Sequence, residues 1–377
     1  MFSWLRNLWA FLAPPSPGGA APVRAVPPAR PAPRPANPPP RVPGTNPALR
    51  TDVPRPSPPP LTQSLAETLR CSEAELALRA QAEADAEDQY QIEAALHALK
   101  QIPALKSLAD KFTRSLGRET IEIDEVVASL SHDPSLCVRI LRMANSVAIA
   151  SREPVSDLPT AVHLLGVNRV RMMSHALLLQ RDTEGIAQGF DWKHLWMHAL
   201  ATAMLAERLD TWSGRHAAPS LQVCAILHDV GKIALSVVAP VAYPGILLAA
   251  WQTQASLPPL EVSRLGLDHR EAGRIFGQES GLPPIVLDAI AHHDTPALAA
   301  PENQSTVALV GVANQWAKLY GLGFSGDGSS QPVDLWETPA WAAWARTLPD
   351  LPDPTAFALR EPAWLDQVRH ELAAFHS

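Results

Sequence analysis

Asp133-Pro-Ser-Leu-Cys-Val-Arg-Ile-Leu-Arg-Met-Ala-Asn-Ser146 is the stretch that best predicts how this chain folds. Its apolar residues recur at helical spacing, which predicts a helix that begins at Ser135. The preceding helix, predicted over Glu122–Ser131, ends at Asp133-Pro134, because proline disfavours helix at the residue before it. One helix therefore follows another within a few residues.

The next stretch carries signals for both ends of a helix. Ser156-Asp157 is a capping pair ahead of Leu158–Leu165, and Gly166 is a typical residue at a helix end. A further helix is predicted over Asn168–Leu179. No segment alternates with period two for long enough to predict a strand, so the fold class is all-α, a multi-helix bundle.

This pattern of helices extends over residues 102–325, which we interpret as one domain. Residues 102–180 are expected to form an N-terminal helical subdomain packed on a His-rich subdomain at 190–325. The residues expected in the core of the first are Ile140, Leu141, Met143, Val162, Leu164 and Leu165. Residues 326–377 form a Pro/Trp-rich tail, in which four tryptophans are expected to pack back on the core and Ala363–Phe375 to form a final helix.

Toward the N-terminus the composition changes. Residues 62–100 lack Pro and Gly and predict two helices with acidic outer faces. Residues 14–60 are rich in Pro, Ala and Arg and predict an extended, disordered linker. Residues 1–13 place Phe2, Leu5, Trp9 and Leu12 on one face, which predicts a short amphipathic helix for peripheral contact with a membrane or partner, or else an apolar end that frays. A secretory signal is the third alternative, but the apolar stretch is short and Pro14-Pro15 ends it without a clear cleavage site.

Charge divides along the same boundary. The 377 residues are 46% apolar and 18% charged, which excludes a wholly disordered chain. Residues 1–60 contain seven Arg, one acid and 19 of the 38 prolines, and their net charge is +6. The remaining residues carry a net charge of −13, which gives the total of −7. An acidic body lacks the basic face that nucleic acid requires, and we expect no nucleic-acid partner.

The three cysteines, Cys71, Cys137 and Cys224, are odd in number and far apart, and no pair has metal-ligand spacing. They are typical of a reducing cytoplasm, where we expect this protein. No uninterrupted apolar run reaches the roughly 18 residues that a membrane-spanning helix needs.

Six histidines and one aspartate form an ordered series over predicted helices. They are His194, His198, His228, Asp229, His269, His292 and His293. Imidazole and carboxylate groups are ligands of Fe, Zn or Mn, and an adjacent His-Asp pair can serve two metal ions. Two metals can activate water and hold a phosphoryl group, and Lys232, one turn after Asp229, could meet a substrate phosphate. The alternative is that these histidines are hydrogen-bonded core residues without a metal.

Much of the sequence from Ile102 to His293 resembles the HDOD domain family of bacterial signalling proteins. The similar segments follow in order. They are Ile102-Pro-Ala-Leu, Asp133–Ser146, Ala161–Val170, Trp196–Ala203, Leu227-His-Asp-Val-Gly-Lys232, Leu265–His269 and Ile290-Ala-His-His293. That family is related to the HD phosphohydrolases and the HD-GYP cyclic dinucleotide phosphodiesterases.

The resemblance implies an all-helical HD-like fold and a set of metal-ligand positions, and it also exposes departures. The implied ligands are His198, His228, Asp229, His269, His292 and His293. His194 stands where active relatives have Glu, Asn314 stands where they have a late Asp, and the Gly-Tyr-Pro signature is absent. HDOD proteins are generally regarded as regulatory.

Three functions follow from these observations. The first is a non-catalytic signalling module that binds a partner protein or a nucleotide. The second is a metal-dependent phosphohydrolase acting on a nucleotide or cyclic dinucleotide, with Asp229 and Lys232 in its site, and the third is a nucleic-acid-binding regulator. Because two carboxylates are replaced, we expect at most one tightly held divalent metal (Fe, Zn or Mn), on His198, His228, Asp229 and His293, and no hydrolysis of cyclic dinucleotides.

Overall fold

A computed structural model describes Leu96 and residues 134–147, 154–167, 169–174, 193–214, 220–240, 242–327, 335–348 and 354–376. The predicted helix at 1–13, the linker at 14–60 and the helix over Glu122–Ser131 lie outside these residues. So does the 62–100 segment, apart from the buried Leu96.

The described residues form helices and connecting turns without a strand, which confirms the all-α prediction. The α-helices are α1 (Pro134–Val147), α2 (Leu158–Leu165), α3 (Lys193–Ser213), α4 (Leu221–Leu227), α5 (Val230–Val238), α6 (Ala242–Thr253), α7 (Leu257–Leu265), α8 (His269–Glu279), α9 (Pro284–His292), α10 (Gln304–Leu319), α11 (Pro339–Thr347) and α12 (Pro354–His376). Short 3₁₀ turns at Pro296–Leu298 and Leu335–Glu337 precede α10 and α11. Residues 169–174 are also helical.

The connection from α1 to α2 is fixed by side-chain hydrogen bonds. Asp157 caps α2 by accepting from the Thr160 amide at 2.8 Å, and Gly166 ends the helix at φ +84°. The Asn145 side chain at the end of α1 accepts from the Val155 amide at 2.7 Å and donates to the Val155 carbonyl at 2.9 Å. The predicted caps of Leu158–Leu165 are confirmed.

Four of the six predicted core residues between 102 and 180 are buried, namely Ile140, Met143, Val162 and Leu165. Leu141 is only partly buried against the core. The prediction for Leu164 is wrong, since this side chain is 42% exposed. The buried stripe of α2 follows Ala161, Val162 and Leu165, and a residue at position 164 falls outside that stripe on a 3.6-residue helix.

Helices α3 and α10 form the centre of the bundle. Both are buried along most of their length, and they pack on each other, with α4 on α3 and α11 on α10. Helices α5 and α8 form a second close pair beside them. The core therefore surrounds the helices that carry the candidate site.

The stretch Leu221–Val238 is apolar and long enough to cross a membrane by length and composition, but 83% of it is buried inside the fold. It comprises α4 and α5, which are separated by the turn at His228-Asp229. This burial is what a core helix of a folded domain shows.

The tryptophans of the C-terminal region pack on the core, as predicted. Trp341 and Trp344 are buried, Trp336 and Trp364 are partly buried, and all contact the main core. The terminal helix begins at Pro354 and continues through Pro362, whereas the sequence predicts a start at Ala363. The fully buried Phe357 lies among Trp212, Trp316, Trp341 and Trp364, and this packing supports the turns before Pro362.

Candidate metal centre

Four helix segments bring the candidate ligands together. His198 lies in α3, and His228-Asp229 forms the turn between α4 and α5. His269 begins α8, where the neighbouring Asp268 caps the helix by accepting from the amides of Arg270 and Glu271. His293 follows directly after α9. The fold thus brings these histidines and Asp229, which lie far apart in the sequence, into one cluster.

Helices α5 and α8 approach so closely that only glycine fits between them. A Cβ on Gly231 would lie 1.7 Å from the His269 carbonyl oxygen, and one on Gly273 would lie 3.0 Å from the Gly231 amide nitrogen. This approach places the turn with Asp229 against the first residue of α8. Any larger residue at 231 would separate Asp229 from His269.

Asp229 lies at the centre of the cluster, and each of its two carboxylate oxygens faces a different pair of histidines. Oδ2 lies 3.2 Å from His228 Nε2 and 4.0 Å from His198 Nε2. Oδ1 lies 3.5 Å from His269 Nε2 and 3.7 Å from His293 Nε2. All five side chains are buried.

Each histidine is oriented through its other ring nitrogen. The acceptors for Nδ1 are the Leu322 carbonyl (3.3 Å from His198), the Ala225 carbonyl (2.7 Å from His228), the Glu261 carboxylate (2.6 Å from His269) and the Ile290 carbonyl (3.1 Å from His293). For His228, His269 and His293, a proton held at Nδ1 leaves the Nε2 lone pair free for a ligand, whereas His198 Nε2 already contacts Asn314 Oδ1 at 3.0 Å. Histidines that bind metal are held in this way.

The cluster contains two groups of potential ligands that share Asp229. We call His198, His228 and Asp229 the first triad, and Asp229, His269 and His293 the second triad; within each, the ligand atoms lie within 4.8 Å of one another.

Four ligand atoms of the cluster lack hydrogen-bond partners among the described residues, and three of them belong to the second triad. Asp229 Oδ1, His269 Nε2 and His293 Nε2 are buried and have no hydrogen-bond partner among the described residues, and the same is true of His228 Nε2. Buried polar atoms are nearly always satisfied, so this set of lone pairs fits a bound cation. Its chemistry, neutral imidazole with carboxylate, suits Zn, Fe or Mn.

The first triad is engaged by other protein groups. Lys232 Nζ donates to Asp229 Oδ2 and to the Ser325 carbonyl, both at 2.6 Å. His198 Nε2 pairs with the side-chain amide of Asn314, 3.0 Å from Oδ1. A lysine cation and an amide thus stand beside the ligand atoms of this triad.

Burial sets the protonation of the cluster. It lowers the pKa of both His198 and His293 to about 3, against the attraction of Asp229 for His198 and of Asp294 and Asp229 for His293, so both rings are neutral near pH 7. Burial alone would raise the pKa of Asp229, but His228 and Lys232 together hold it well below its usual value. Neutral rings and an ionised carboxylate are the forms that bind metal.

Two carboxylates beside the second triad were not identified from the sequence. Glu261 is fully buried and accepts from both the Nδ1 and the amide of His269, while its other oxygen accepts from Tyr243 at 2.8 Å. Asp294 Oδ2 lies 3.6 Å from His293 Nε2. Asp294 directly follows the His pair in sequence, which could have identified it, whereas Glu261 has no motif.

The structure separates the remaining predicted site residues from the triads. His292 and His194 are each partly buried and belong to neither triad. The His194 carbonyl accepts from the Phe324 amide at 3.0 Å. Lys232, expected to meet a substrate phosphate, is buried in its ion pair with Asp229.

Comparison with known proteins shows the fold and the family of the chain. An uncharacterized protein of Treponema pallidum (strain Nichols) is 25% identical over 218 residues, which are 56% of this chain and 41% of that protein. The chain thus matches less than half the length of this relative. The solved HDOD domain protein of unknown function from Geobacter sulfurreducens superposes with a TM-score of 0.60 at 22% identity, covering 71% of this chain and 90% of that one.

A second solved structure, a candidate phosphohydrolase from Shewanella amazonensis SB2B, has a TM-score of 0.54 at 22% identity and covers 75% of this chain and 98% of that one. At these identities the two structures show the fold alone. The family model of the HDOD domain, in contrast, matches residues 102–296, more than half of the sequence. The chain belongs to the HDOD domain family.

Proposed function

We propose that this protein is a regulatory HDOD module that holds one divalent metal ion at the second triad and does not hydrolyse phosphodiesters. The observation that carries the proposal is the occupation of the first triad by Lys232 and Asn314, at 2.6 Å from Asp229 Oδ2 and 3.0 Å from His198 Nε2. Two-metal phosphoryl transfer needs both positions.

The second triad is the better supported position. Asp229, His269 and His293 would hold the ion, and Glu261 orients His269 from behind. Two histidines and one carboxylate form a common ligand set for Fe²⁺ and Zn²⁺. Asp294 places a second carboxylate 3.6 Å from His293 Nε2, although its other oxygen lies 4.0 Å from the Lys318 ammonium group. A bound metal would supply Lewis-acid charge at this point.

A second cation is opposed at the first triad. It would share Asp229 Oδ2 with the Lys232 ammonium group, and like charges in a buried site repel strongly. Asn314 is a neutral amide and gives no compensating charge. The ligand set expected from sequence, which includes His198, thus differs from the set that the unpartnered atoms favour.

The alternative is a metal-dependent phosphohydrolase that acts on a nucleotide or cyclic dinucleotide. The unpartnered ligand atoms of the second triad favour this enzymatic function, because three protein ligands leave coordination positions of a metal open for water and substrate. In the regulatory proposal, the domain instead acts through binding a partner protein or a nucleotide. Metal count and hydrolysis measured on the same preparation distinguish the two.

The test is metal analysis of the purified chain together with the double variant Asn314→Asp, His194→Glu. We expect one metal ion per chain or fewer in the parent, no hydrolysis of cyclic dinucleotides, and a higher metal content in the double variant. His163→Glu, at an exposed position in α2, is the control for an added carboxylate. A parent that holds two ions, or that hydrolyses cyclic dinucleotides, would contradict the proposal.

A further inference from the structure

A second polar site lies at the other end of α3, outside the metal centre. It is a cavity of about 770 Å³ between the last turns of α3, the helical residues 169–174 and the terminal helix α12. Its lining includes Arg169, Arg208, Trp212, Arg360, Trp364 and Glu371. Helix α12 lies beyond residues 102–296, so the cavity joins the HDOD domain to this chain's own C-terminal segment.

The floor of the cavity contains a buried ion pair with one unmet acceptor. Arg208 donates to Glu371 Oε1 at 2.8 Å, and the two residues are only 8% and 3% exposed. The other oxygen, Glu371 Oε2, is buried and has no hydrogen-bond partner among the described residues. A buried carboxylate oxygen without a donor is rare and costly, and therefore points to a ligand that supplies one.

Two further arginines, Arg169 and Arg360, also line the cavity. The Arg169 guanidinium reaches its nearest carboxylates, Glu207 and Glu371, only at 3.4 and 3.7 Å. Charge-assisted hydrogen bonds are normally about 2.7–2.9 Å long, so this arginine can also bind an acceptor of a ligand. Arg360 is exposed among the lining residues and can meet an anionic group.

Two tryptophans supply an aromatic wall. The rings of Trp212 and Trp364 stand edge to face, with centroids 6.4 Å apart and planes at 76°. Both are partly buried, and both pack on Phe357, which keeps them in place. A planar ring system can stack on such a wall.

We propose that this cavity binds a guanine nucleotide. Guanine carries two adjacent donors, N1–H and the 2-amino group, which match the Glu371 carboxylate, and it presents O6 and N7 as acceptors for an arginine such as Arg169. The base lies against the tryptophan wall, and the phosphate meets Arg360. Adenine offers a single amino donor beside a ring acceptor, so it matches a carboxylate less well. The volume lies within the usual range for small-ligand sites.

The cavity lining includes none of the residues of the two triads, so this inference stands apart from the metal proposal. The test is isothermal titration of the full chain, with and without chelator, using GMP, AMP, guanosine and inorganic phosphate as separate probes. We expect one GMP per chain, bound at least about tenfold more tightly than AMP, and weak binding of phosphate alone.

Two variants assign the contacts. Glu371→Gln should weaken GMP by at least about tenfold with little effect on AMP, because it removes the charged acceptor. Arg360→Ala, at an exposed position, should weaken GMP but leave guanosine unchanged. Glu302→Gln and Arg264→Ala are exposed controls outside the lining, and melting curves check the fold of each variant. Equal affinity for GMP and AMP, binding of phosphate as tight as that of GMP, or no binding of GMP would overturn the proposal.

Discussion

The first and second triads share Asp229 and use the same kinds of side chain, yet their surroundings differ. In the first triad, Lys232 and Asn314 already contact the ligand atoms. In the second, Asp229 Oδ1, His269 Nε2 and His293 Nε2 have no hydrogen-bond partners among the described residues. The carboxylates of Glu261 and Asp294 lie nearby, and Lys318 approaches Asp294 only to 4.0 Å. Ligand identity alone therefore does not decide where a metal binds; the neighbouring charges and hydrogen bonds do.

The largest effect is expected from Asp229→Asn, because this carboxylate serves both triads. The change leaves the Lys232 ammonium buried without a counter-charge and removes the shared ligand. We expect a loss of about 3–5 kcal/mol in the free energy of unfolding and loss of bound metal. Chemical denaturation and metal analysis measure both.

The matched control is Asp366→Asn, since the Asp366 side chain is 79% exposed. Its free energy of unfolding should stay within about 0.5 kcal/mol of the parent. Equal small effects of the two variants would mean that Asp229 does not organise the cluster.

The next effect concerns pH in the metal-free protein. The pKa values of His198 and His293 are about 3 in the fold, against about 6.5 in an unfolded chain. Below pH 6.5 the unfolded chain takes up protons that the folded chain excludes, so stability falls as pH decreases. Each ring should contribute about 2 kcal/mol of loss between pH 7 and pH 5.

Chemical denaturation measured at intervals of half a pH unit tests this dependence of stability on pH. The variants His198→Gln and His293→Gln should each remove about half of it, because the two rings have the same pKa and contribute equally. A free energy of unfolding that is constant between pH 7 and pH 5 would show that the rings are not buried in neutral form.

A smaller effect, on metal affinity, is expected when the residue that orients His269 in the second triad is changed. Glu261→Gln weakens the acceptor that orients His269 and should lower metal affinity about 10–100-fold. Glu302→Gln, at an exposed position, is the control. Metal titration with a competing chelator gives the affinities, and unchanged affinity in Glu261→Gln would place the metal elsewhere.

The smallest effect is expected from His292→Ala. This histidine neighbours His293 in sequence but is only partly buried and belongs to neither triad. Metal content should be unchanged and the free energy of unfolding should shift by no more than about 0.5 kcal/mol. A variant that loses its metal would return His292 to the ligand set that sequence predicts.

The fold was largely predictable because its signals are local. The Asp157 cap and the Gly166 end are each encoded within a few residues, and each His of the series lies in a segment whose own apolar spacing predicts a helix. The burial of Leu164 was predicted wrongly because residue type alone does not fix which face of a short helix turns inward.

The division between the two triads could not be predicted, because it depends on contacts between residues distant in sequence. Lys232 is held by the carbonyl of Ser325, 93 residues away, and His198 pairs with Asn314, 116 residues away. Glu261 precedes His269 by eight residues and carries no recognisable motif. Such neighbours become visible only when the helices are packed.

The most direct test of one metal at the second triad is metal analysis of His293→Ala beside His198→Ala. Both residues are buried and both have a pKa of about 3, so the two variants are closely matched. We predict that His198→Ala keeps the metal content of the parent and that His293→Ala loses at least about nine-tenths of it. Loss of metal in His198→Ala with retention in His293→Ala, or equal loss in both, would contradict the account.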